Sequence, residues 1–464
     1  MAETTAEKFL KESTSKSFDL DHRDVIRNNI DKYEAAFEKG QSAFLDLENA
    51  KTKANLVKWK AIENLDRYLL DFETNFIARG GKVIWANDAD EARQEILKII
   101  QQNQARSVVK SKSMATEEIG LNAFLESQNI QTIESDLGEF IIQLLEQKPY
   151  HIVTPAMHLK LEEIAQLFHE KFGTPIEASA EELTMKAREI LREHYEQADI
   201  GITGANFLLA DTGSIAISEN EGNARLTTTF PKTHIAVVGI EKIIPSIGDL
   251  DLFWPLLASH GTGQDLTVYN SILSGPRQNT EYDGPEEMYV VLLDNGRSQL
   301  LQHKEQRQGL YCIRCGACLN VCPVYQNIGG HTYNSTYQGP IGSLITPHLN
   351  GMKEFKHLSY ATSLCGKCTE VCPVGIDIQQ MLLLNRRDAV QQQMTSSIER
   401  KGWSFFSWLV GKRKLLDLFG GKFKNAVLRN FFKKSWGEKR ELPKLADKSF
   451  SKQWKERQKN EKSS

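Results

Sequence analysis

The sequence predicts an α/β domain built on a largely parallel β-sheet, followed by a smaller, mainly helical domain that contains every cysteine. Two observations favour this architecture. Short apolar runs alternate with longer amphipathic stretches between residue 82 and about residue 300, which is typical of a parallel sheet covered by helices on both faces. The seven cysteines all lie between residues 312 and 372, beyond the last predicted strand.

Length and composition set broad limits on the protein. A chain of 464 residues is too long for one ordinary domain, so we expect two or three. The content of 40% hydrophobic and 25% charged residues is that of a soluble protein, and the net charge of −3 argues against a nucleic-acid binder. The N-terminus lacks the apolar core of a secretory signal, and no apolar run approaches the ~20 residues of a membrane span.

Residues 1–80 are expected to form a helical lead-in. Leu45, Leu47 and Leu56 are spaced among Lys and Glu residues, no proline interrupts the segment, and a Gly80–Gly81 pair closes it. An amphipathic pattern of this kind predicts helices that pack on the following domain.

Residues 81–305 are the predicted α/β domain. The predicted strands are 82–85, 107–109, 151–153, 213–217, 234–239 and 288–293. The predicted helices are 88–105, 115–128, 158–172 and 179–196. Neither G-x-G-x-x-G after a strand nor G-x-x-x-x-G-K-[ST] occurs here, so the sequence does not support a dinucleotide or P-loop site.

Residues 306–390 carry two cysteine motifs. The first is C-x2-C-x2-C-x3-C-P and the second is C-x2-C-x3-C-P, which together resemble the ligand pattern of a two-cluster bacterial ferredoxin. In that pattern the last cysteine of each motif ligates the other cluster. We therefore expect one [4Fe–4S] cluster on Cys312, Cys315, Cys318 and Cys372. The second cluster is expected on Cys322, Cys365 and Cys368.

The second motif lacks its first cysteine, and Thr362 stands three residues before Cys365 in its place. The second cluster then has three protein thiolates. It could be a [3Fe–4S] cluster, a [4Fe–4S] cluster with one open iron, or a cluster with a fourth ligand from elsewhere. That ligand could be solvent, Thr362, a partner protein or a nearby histidine. The histidines that flank the motifs are His331, His348 and His357.

Zinc is the alternative occupant of closely spaced cysteines. Four thiolates in one C-x2-C-x2-C-x3-C run would serve a single zinc ion and leave three cysteines without a metal, so iron–sulfur clusters are favoured. Thiolate ligands require a reducing compartment, which predicts a cytoplasmic protein or one on the cytoplasmic face of a membrane.

A small-molecule site is a further hypothesis for the α/β domain. Gly- and Thr-rich turns at 201–204 and 210–213 adjoin predicted strands, where backbone amides and cationic side chains could face a crevice. The candidate residues are Lys112, Asp211, Thr212 and Arg225. The alternative is structural, because Asp-Thr-Gly is a common turn and Arg225 could pair with Glu219 or Glu221.

Residues 391–464 form a basic C-terminal extension. Residues 401–464 contain 18 Lys or Arg against 6 Asp or Glu, and four of the seven tryptophans lie there. Such a segment could dock an acidic partner subunit, contact an anionic membrane surface peripherally, or be a solvated surface.

Several longer segments resemble one known family. CIRCGACLNVCPVYQNIGGHTY (312–333), GPIGSLITP (339–347) and LCGKCTEVCPVGI (364–376) resemble the lactate utilization protein B family of iron–sulfur proteins. KSMATEEIGLN (112–122), SHGTGQDLTVYNSILSGPR (259–277) and residues 201–246 resemble the LUD domain of that family. The resemblance implies a fold related to the NagB/RpiA/CoA-transferase group, and seven cysteines fit the family.

The resemblance also implies a function. It suggests an iron–sulfur electron-transfer subunit of a multi-subunit system that oxidises L-lactate to pyruvate, with other subunits of that complex as partners. Two alternatives remain open at this point. The chain could be a self-sufficient LUD-domain oxidoreductase, or an iron- or oxygen-responsive regulatory protein whose clusters act as sensors.

Overall fold

The N-terminal segment consists of consecutive helices in the computed structural model, which describes residues 3–413, 415, 420–437 and 440–463. These helices are α1 (Thr5–Ser17), α2 (Leu20–Gln41), α3 (Leu47–Glu63) and α4 (Leu65–Ala78). The side chains of Asp19 and Asp46 cap α2 and α3 by accepting hydrogen bonds from backbone amides three residues ahead. Phe72 and Phe76 of α4 are fully buried, so the segment packs as part of the core.

A parallel β-sheet follows. Among the described residues it contains β1 (Lys82–Ala86), β2 (Ser107–Lys110), β3 (Gln131–Glu134), β4 (Ile200–Thr203), β7 (Thr233–Gly239) and β10 (Glu287–Leu293). The strand order is β1-β10-β7-β4-β2-β3, and every pairing is parallel. The predicted α/β class with a parallel sheet is confirmed.

Both faces of this sheet are buried, as its continuous apolar runs predict. Ile235 and Val237 of β7 face one core, which also contains residues of α5 (Ala89–Gln102) and α7 (Leu121–Ser127). Ala236 and Val238 lie on the opposite face and belong to a second core. That core also contains side chains of the N-terminal helices and of the cysteine motifs. The cysteine motifs therefore share one continuous apolar core with this face of the sheet.

Further helices complete the α/β region. They are α6 (Met114–Glu118), α8 (Leu137–Leu144), α9 (Leu161–Phe172), α10 (Ala180–Gln197), α11 (Asn223–Thr229), α12 (Leu250–Gly261) and α13 (Arg297–Gln302). Ser179 and Glu182 form a capping box at the start of α10, which explains where that helix begins.

A second, smaller sheet departs from the expected arrangement. Its strands are β5 (Phe207–Leu209), β6 (Ser214–Glu219), β8 (Ile243–Ile244) and β9 (Tyr269–Leu273), in the order β8-β5-β6-β9. The run at 213–217 is thus a strand, but it pairs antiparallel with β5 and β9 rather than joining the parallel sheet. The predicted strand at 151–153 is wrong, since these residues form a bent loop.

The cysteine region consists of short helices and turns. Its α-helices are α14 (Ala317–Asn320), α15 (Pro323–Ile328), α16 (Gly339–Leu349), α17 (Met352–Phe355), α18 (Lys367–Glu370) and α19 (Ile378–Gln391). Contacts divide the chain into a unit of residues 1–388 and a second unit of residues 389–464.

The second unit contains α20 (Ser397–Val410), α21 (Gly421–Val427), α22 (Lys433–Trp436) and α23 (Phe450–Ser463). Trp403, Phe405 and Trp408 of α20 are exposed. Within the part of the chain that the structure describes, no helix combines the length and apolar character that a membrane crossing requires.

Candidate metal centre

Four cysteine side chains surround one enclosed apolar space. Cys312, Cys315 and Cys318 come from the first motif, and Cys372 reaches the same space from the second motif, 50 residues beyond Cys322 in the chain. The other walls are the side chains of Ile152, Ile313, Ile341, Val374, Ile376 and Ile378. None of the seven cysteines is in a disulfide. This set, which we call the first cysteine group, contains the four thiols that the spacing predicts for one cluster.

The remaining cysteines form a second group beside the first. Burial is the main cause that raises the pKa of Cys322, and the charge of Cys365 adds to it. Burial, together with the charges of Cys322 and Cys365, raises the pKa of Cys368 to about 12. The charge of Cys368 also contributes to the raised pKa of Cys318, so the two groups lie next to each other. Cys322 and Cys368 are buried, whereas Cys365 is exposed. In the first group Cys315, Cys318 and Cys372 are buried and Cys312 is half-buried, so the first group is the more buried of the two and the second reaches the surface.

The two motifs repeat one backbone conformation. Arg314 and Gly316 flank Cys315 with positive φ angles of 64° and 81°, and Leu364 and Gly366 flank Cys365 with φ angles of 54° and 85°. Each glycine is followed by a one-turn helix, α14 or α18. Positive φ is unfavourable for residues other than glycine, so Arg314 and Leu364 are held in this conformation by their surroundings.

This repeat places Thr362 in the position of Cys312. The Cys312 Sγ accepts a hydrogen bond from the Arg314 amide at 3.4 Å, and the Thr362 Oγ1 accepts one from the Leu364 amide at 3.0 Å. The same local hydrogen bond thus holds a sulfur in one motif and an oxygen in the other. An oxygen that could face an iron atom is therefore present where the second motif lacks its thiol.

The chemistry of the cysteine surroundings fits iron–sulfur clusters. Backbone amides donate to the sulfurs, as between Ile376 N and Cys372 Sγ at 3.4 Å, and amides of Ala317 and Ile341 act similarly on Cys315 and Cys318. Burial raises the pKa of most of these thiols, and bound iron would favour their thiolate form. Within the described residues, no three His, Cys, Asp or Glu side chains gather closely enough to hold a single metal ion.

The histidines near the motifs have other contacts. His331 Nε2 bonds to the Lys148 carbonyl at 2.7 Å, and its ring packs on Tyr150. His348 Nε2 lies 2.9 Å from Asn385 Oδ1 in a buried setting. His357 packs beside Phe9 and bonds through Nδ1 to the Glu354 carbonyl. Each of these rings thus already has a hydrogen-bond partner in the protein. The Thr362 oxygen, in contrast, lies within the second motif, at the position of the missing thiol.

Buried charges adjoin the first cysteine group. Glu241 accepts from Arg297 Nε at 2.5 Å and from Arg314 Nη2 at 3.2 Å. Burial alone would raise the pKa of Glu241, but these two guanidiniums lower it to about 2. Burial, reinforced by the charge of Arg314, lowers the pKa of Lys242 to about 8. The basic side chains gathered here are Lys58, Lys242, Arg297 and Arg314, against the acidic Glu118 and Glu241.

A cavity of about 390 Å³ opens beside these charges, at the carboxyl ends of the parallel strands. Segments that follow β2, β4 and β7 line it, namely 111–115, 204–206 and 241–242. Cys315 and Arg314 also line it, so the cavity reaches the first cysteine group. Gly316 packs so closely on the 151–153 loop that an added Cβ would lie 3.0 Å from Val153.

The structure separates the four residues that the sequence suggested for a small-molecule site. Lys112 lines the cavity, and its ammonium bonds to the Val153 carbonyl. The Asp211 carboxylate accepts instead from Ser246 Oγ at 2.8 Å. Asp211 and its neighbour Thr212 are not among the lining residues. Arg225 lies over the Tyr269 ring, 5.4 Å from its centroid, in a different groove.

Sequence reasoning overlooked the charged residues that lie nearest the cysteines. Glu241 and Lys242 follow directly after strand β7, where the carboxyl ends of parallel strands meet, so their position alone was a usable signal. The contacts of Glu241 with Arg297 and Arg314 join residues 56 and 73 positions apart, which no local pattern indicates.

Comparisons with known proteins agree with the motifs. A LUD domain model matches residues 69–293, and a 4Fe-4S dicluster domain model matches residues 308–376. Lactate utilization protein B of Geobacillus sp. (strain WCH70) is 42% identical over 434 residues, covering 89% of this chain and 91% of that protein. The protein of that name from Oceanobacillus iheyensis is 39% identical over 474 positions, covering 97% of each.

Two further similarities differ in strength. The uncharacterized electron transport protein YkgF of Escherichia coli (strain K12) is 42% identical over 428 residues and covers 89% of each chain. A solved DUF162 family protein from Deinococcus radiodurans covers 50% of this chain and 98% of its own, but its TM-score of 0.29 at 16% identity is too low to support a conclusion. All seven cysteines lie within the segment that matches the 4Fe-4S dicluster domain.

Proposed function

The chain belongs to the lactate utilization protein B family, and from this we propose that it is an iron–sulfur electron-transfer component of a multi-subunit system that oxidises L-lactate to pyruvate. The two cysteine groups would each hold a cluster, [4Fe–4S] on the first and [4Fe–4S] or [3Fe–4S] on the second. Such clusters would supply one-electron transfer. The names of relatives support this role, since one is called an electron transport protein.

One observation carries the proposal: the enclosed first group lies beside a second group that reaches the surface. Cys318 is buried, while Cys365 is exposed. An electron-transfer protein needs this arrangement, because a partner must approach one centre closely while the other is kept from water. The exposed surface at Cys365 is therefore the proposed contact for a redox partner.

The charges near the first group suit a relay. Cations beside a cluster stabilise its reduced, more negative form and so raise its reduction potential. Lys242 and Arg314 are positioned to act in this way, and Glu241 offsets part of their charge. The basic extension at 391–464 supports docking of an acidic partner subunit, with peripheral contact to an anionic membrane as the alternative.

A second candidate function has one specific observation in its favour. The cavity at the sheet edge touches Cys315, so a small molecule bound there would lie against the first group without any partner protein. In that case the chain would be a self-sufficient LUD-domain oxidoreductase.

Anaerobic purification followed by iron and sulfide analysis and EPR tests these proposals. We expect L-lactate to reduce the clusters only when proteins that co-purify with the chain are present. Reduction of the isolated chain by L-lactate would favour the self-sufficient enzyme. A colourless protein that contains zinc, or an iron–sulfur protein that no partner reduces, would overturn the electron-transfer role.

A pair of variants tests the proposed ligand sets. Cys372→Ser should remove the EPR signal of the first cluster although the residue lies in the second motif. Cys322→Ser should remove the signal of the second cluster although it lies in the first motif. Loss of the opposite signal in each variant would refute the crossed assignment.

A further inference from the structure

We propose that the cavity at the carboxyl edge of the parallel sheet binds a small carboxylate, held by Lys242 and Arg314 next to Cys315. This inference deepens the proposed function, because it names the class of molecule that would meet the first cysteine group. It is tested by binding alone, so its failure can be told apart from a failure of electron transfer.

The cavity has the size and lining of a ligand site. Its volume of about 390 Å³ falls within the ~300–1,000 Å³ of small-molecule pockets. Apolar walls come from Ile152, Val237 and Leu257, and polar groups come from Ser113 and Asn206. A few polar groups on a mainly apolar wall are what fixes the orientation of a bound organic molecule.

Lys242 brings a cation to this cavity that no protein group neutralises directly. Across the described residues, its ammonium makes no hydrogen bond and no ion pair, and the side chain is half-buried on the cavity lining. An anion in the cavity would give this ammonium the oppositely charged hydrogen-bond partner that the protein does not supply. Lys112 cannot play this part, because its ammonium already bonds to the Val153 carbonyl.

Arg314 supplies a second donor in a fixed position. Its side chain is only 10% exposed, and its guanidinium lies 4.3 Å from the Tyr337 ring centroid. Nη2 bonds to Glu241, whereas Nη1 is buried and has no hydrogen-bond partner among the described residues. Since Arg297 holds Glu241 from the other side, the unpaired Nη1 is preorganised rather than mobile.

The number of donors favours a carboxylate over a phosphate. One N–H of Arg314 and the ammonium of Lys242 match the two oxygens of one carboxylate. An inorganic phosphate dianion has four oxygens and a second negative charge to satisfy, and Asp136, Glu219 and Glu221 elsewhere on the lining would repel the extra charge. A single negative charge at the Lys242 end is therefore the best match.

Calorimetric titration of the anaerobically purified, cluster-loaded full chain tests the inference, with oxalate, pyruvate, L-lactate and inorganic phosphate as probes. We expect at least one carboxylate to bind more tightly than phosphate. Lys242→Gln should weaken that binding by about 10- to 100-fold, which is the effect of losing one hydrogen bond to a charged group. Lys82→Gln is the control, because Lys82 is exposed and pairs with Glu287, and neither residue lines the cavity.

Two further measurements protect the test from a variant that does not fold. Lys242→Arg keeps the cation and should retain binding, and the bound carboxylate should alter the EPR spectrum of the reduced wild-type protein. The inference is overturned if no carboxylate binds the wild-type chain at millimolar concentration, if phosphate binds more tightly, or if Lys242→Gln and Lys82→Gln bind equally well.

Discussion

Replacing Glu241 by glutamine tests the buried charge network beside the first cysteine group. The carboxylate of Glu241 joins Arg297 and Arg314, and all three side chains are at most 10% exposed. Glutamine keeps the shape of the side chain but has only one acceptor oxygen. That oxygen can accept from one of the two guanidiniums, and the amide N–H₂ would then face the second guanidinium. One of the two buried guanidiniums would then lose the acceptor that Glu241 provides, although Arg297 would keep its contacts with Glu118.

Two estimates of the cost agree. The pKa of Glu241 falls from 4.5 to about 2 in the folded protein, which corresponds to about 3 kcal/mol. Removing one partner of a buried ion pair costs ~3–5 kcal/mol in general. A depressed carboxylate pKa stabilises the fold above pH 4.5, and that contribution disappears as the pH falls toward 2. At pH 7 the full loss of about 3 kcal/mol is therefore expected.

Urea unfolding at pH 7 under anaerobic conditions measures this loss, after iron analysis has shown equal cluster content. Glu287→Gln is the matched control, because Glu287 pairs with Lys82 at 2.8 Å but both side chains are more than 40% exposed. An exposed pair of this kind contributes less than ~1 kcal/mol. If the free energy of unfolding falls by the same amount in both variants, the buried network around Glu241 contributes no more to stability than an exposed ion pair, which would refute the reasoning.

Three further predictions follow from other features. Thr362→Cys should protect the second cluster from conversion to a [3Fe–4S] form in air, as followed by EPR; equal air stability of both wild-type clusters would indicate a fourth ligand other than solvent. After iron chelation, iodoacetamide should label Cys365 before Cys318, because backbone amides lower the pKa of Cys365 while burial raises that of Cys318; uniform labelling by mass spectrometry would contradict this. Burial lowers the pKa of His234 to about 3, so the unfolded chain binds a proton below pH 6.5 that the folded chain does not. Stability should then fall by about 1.4 kcal/mol per pH unit from this residue, and His234→Gln should show a flatter urea-midpoint profile between pH 6.5 and 5.

The parallel sheet could be predicted because its cause is local. A strand buried on both faces needs an unbroken apolar run, and the run 234–239 is such a strand. The run at 213–217 has the same appearance, yet it pairs antiparallel in the smaller sheet. Apolar character predicts that a segment is a strand, but the choice of neighbour depends on contacts with β9, more than 50 residues away.

The loop at 151–153 shows why burial can be mistaken for a strand. Its apolar residues are buried because they pack between the sheet domain and the cysteine turn, where Gly316 contacts Val153. Val153 and Tyr150 use their carbonyls to bind Lys112 and the Tyr325 hydroxyl rather than a neighbouring strand. A packing surface between two domains leaves the same apolar signature as a sheet core.

The cysteine grouping was predictable for a different reason. Ligand spacing within each motif is local, and the crossing of Cys372 to the first group follows from a known pattern. The contact of Arg297 with Glu241 was not predictable, since the two residues meet only through the tertiary fold.

The placement of Cys372 has a consequence for biosynthesis. A ribosome that has finished the first motif has delivered only three of the four thiols that line the enclosed space. The second set is complete only after residue 368 and the first only after residue 372, so neither set can bind a full cofactor before most of the polypeptide has been made. Premature termination before residue 368 would leave both groups short of a thiol at once.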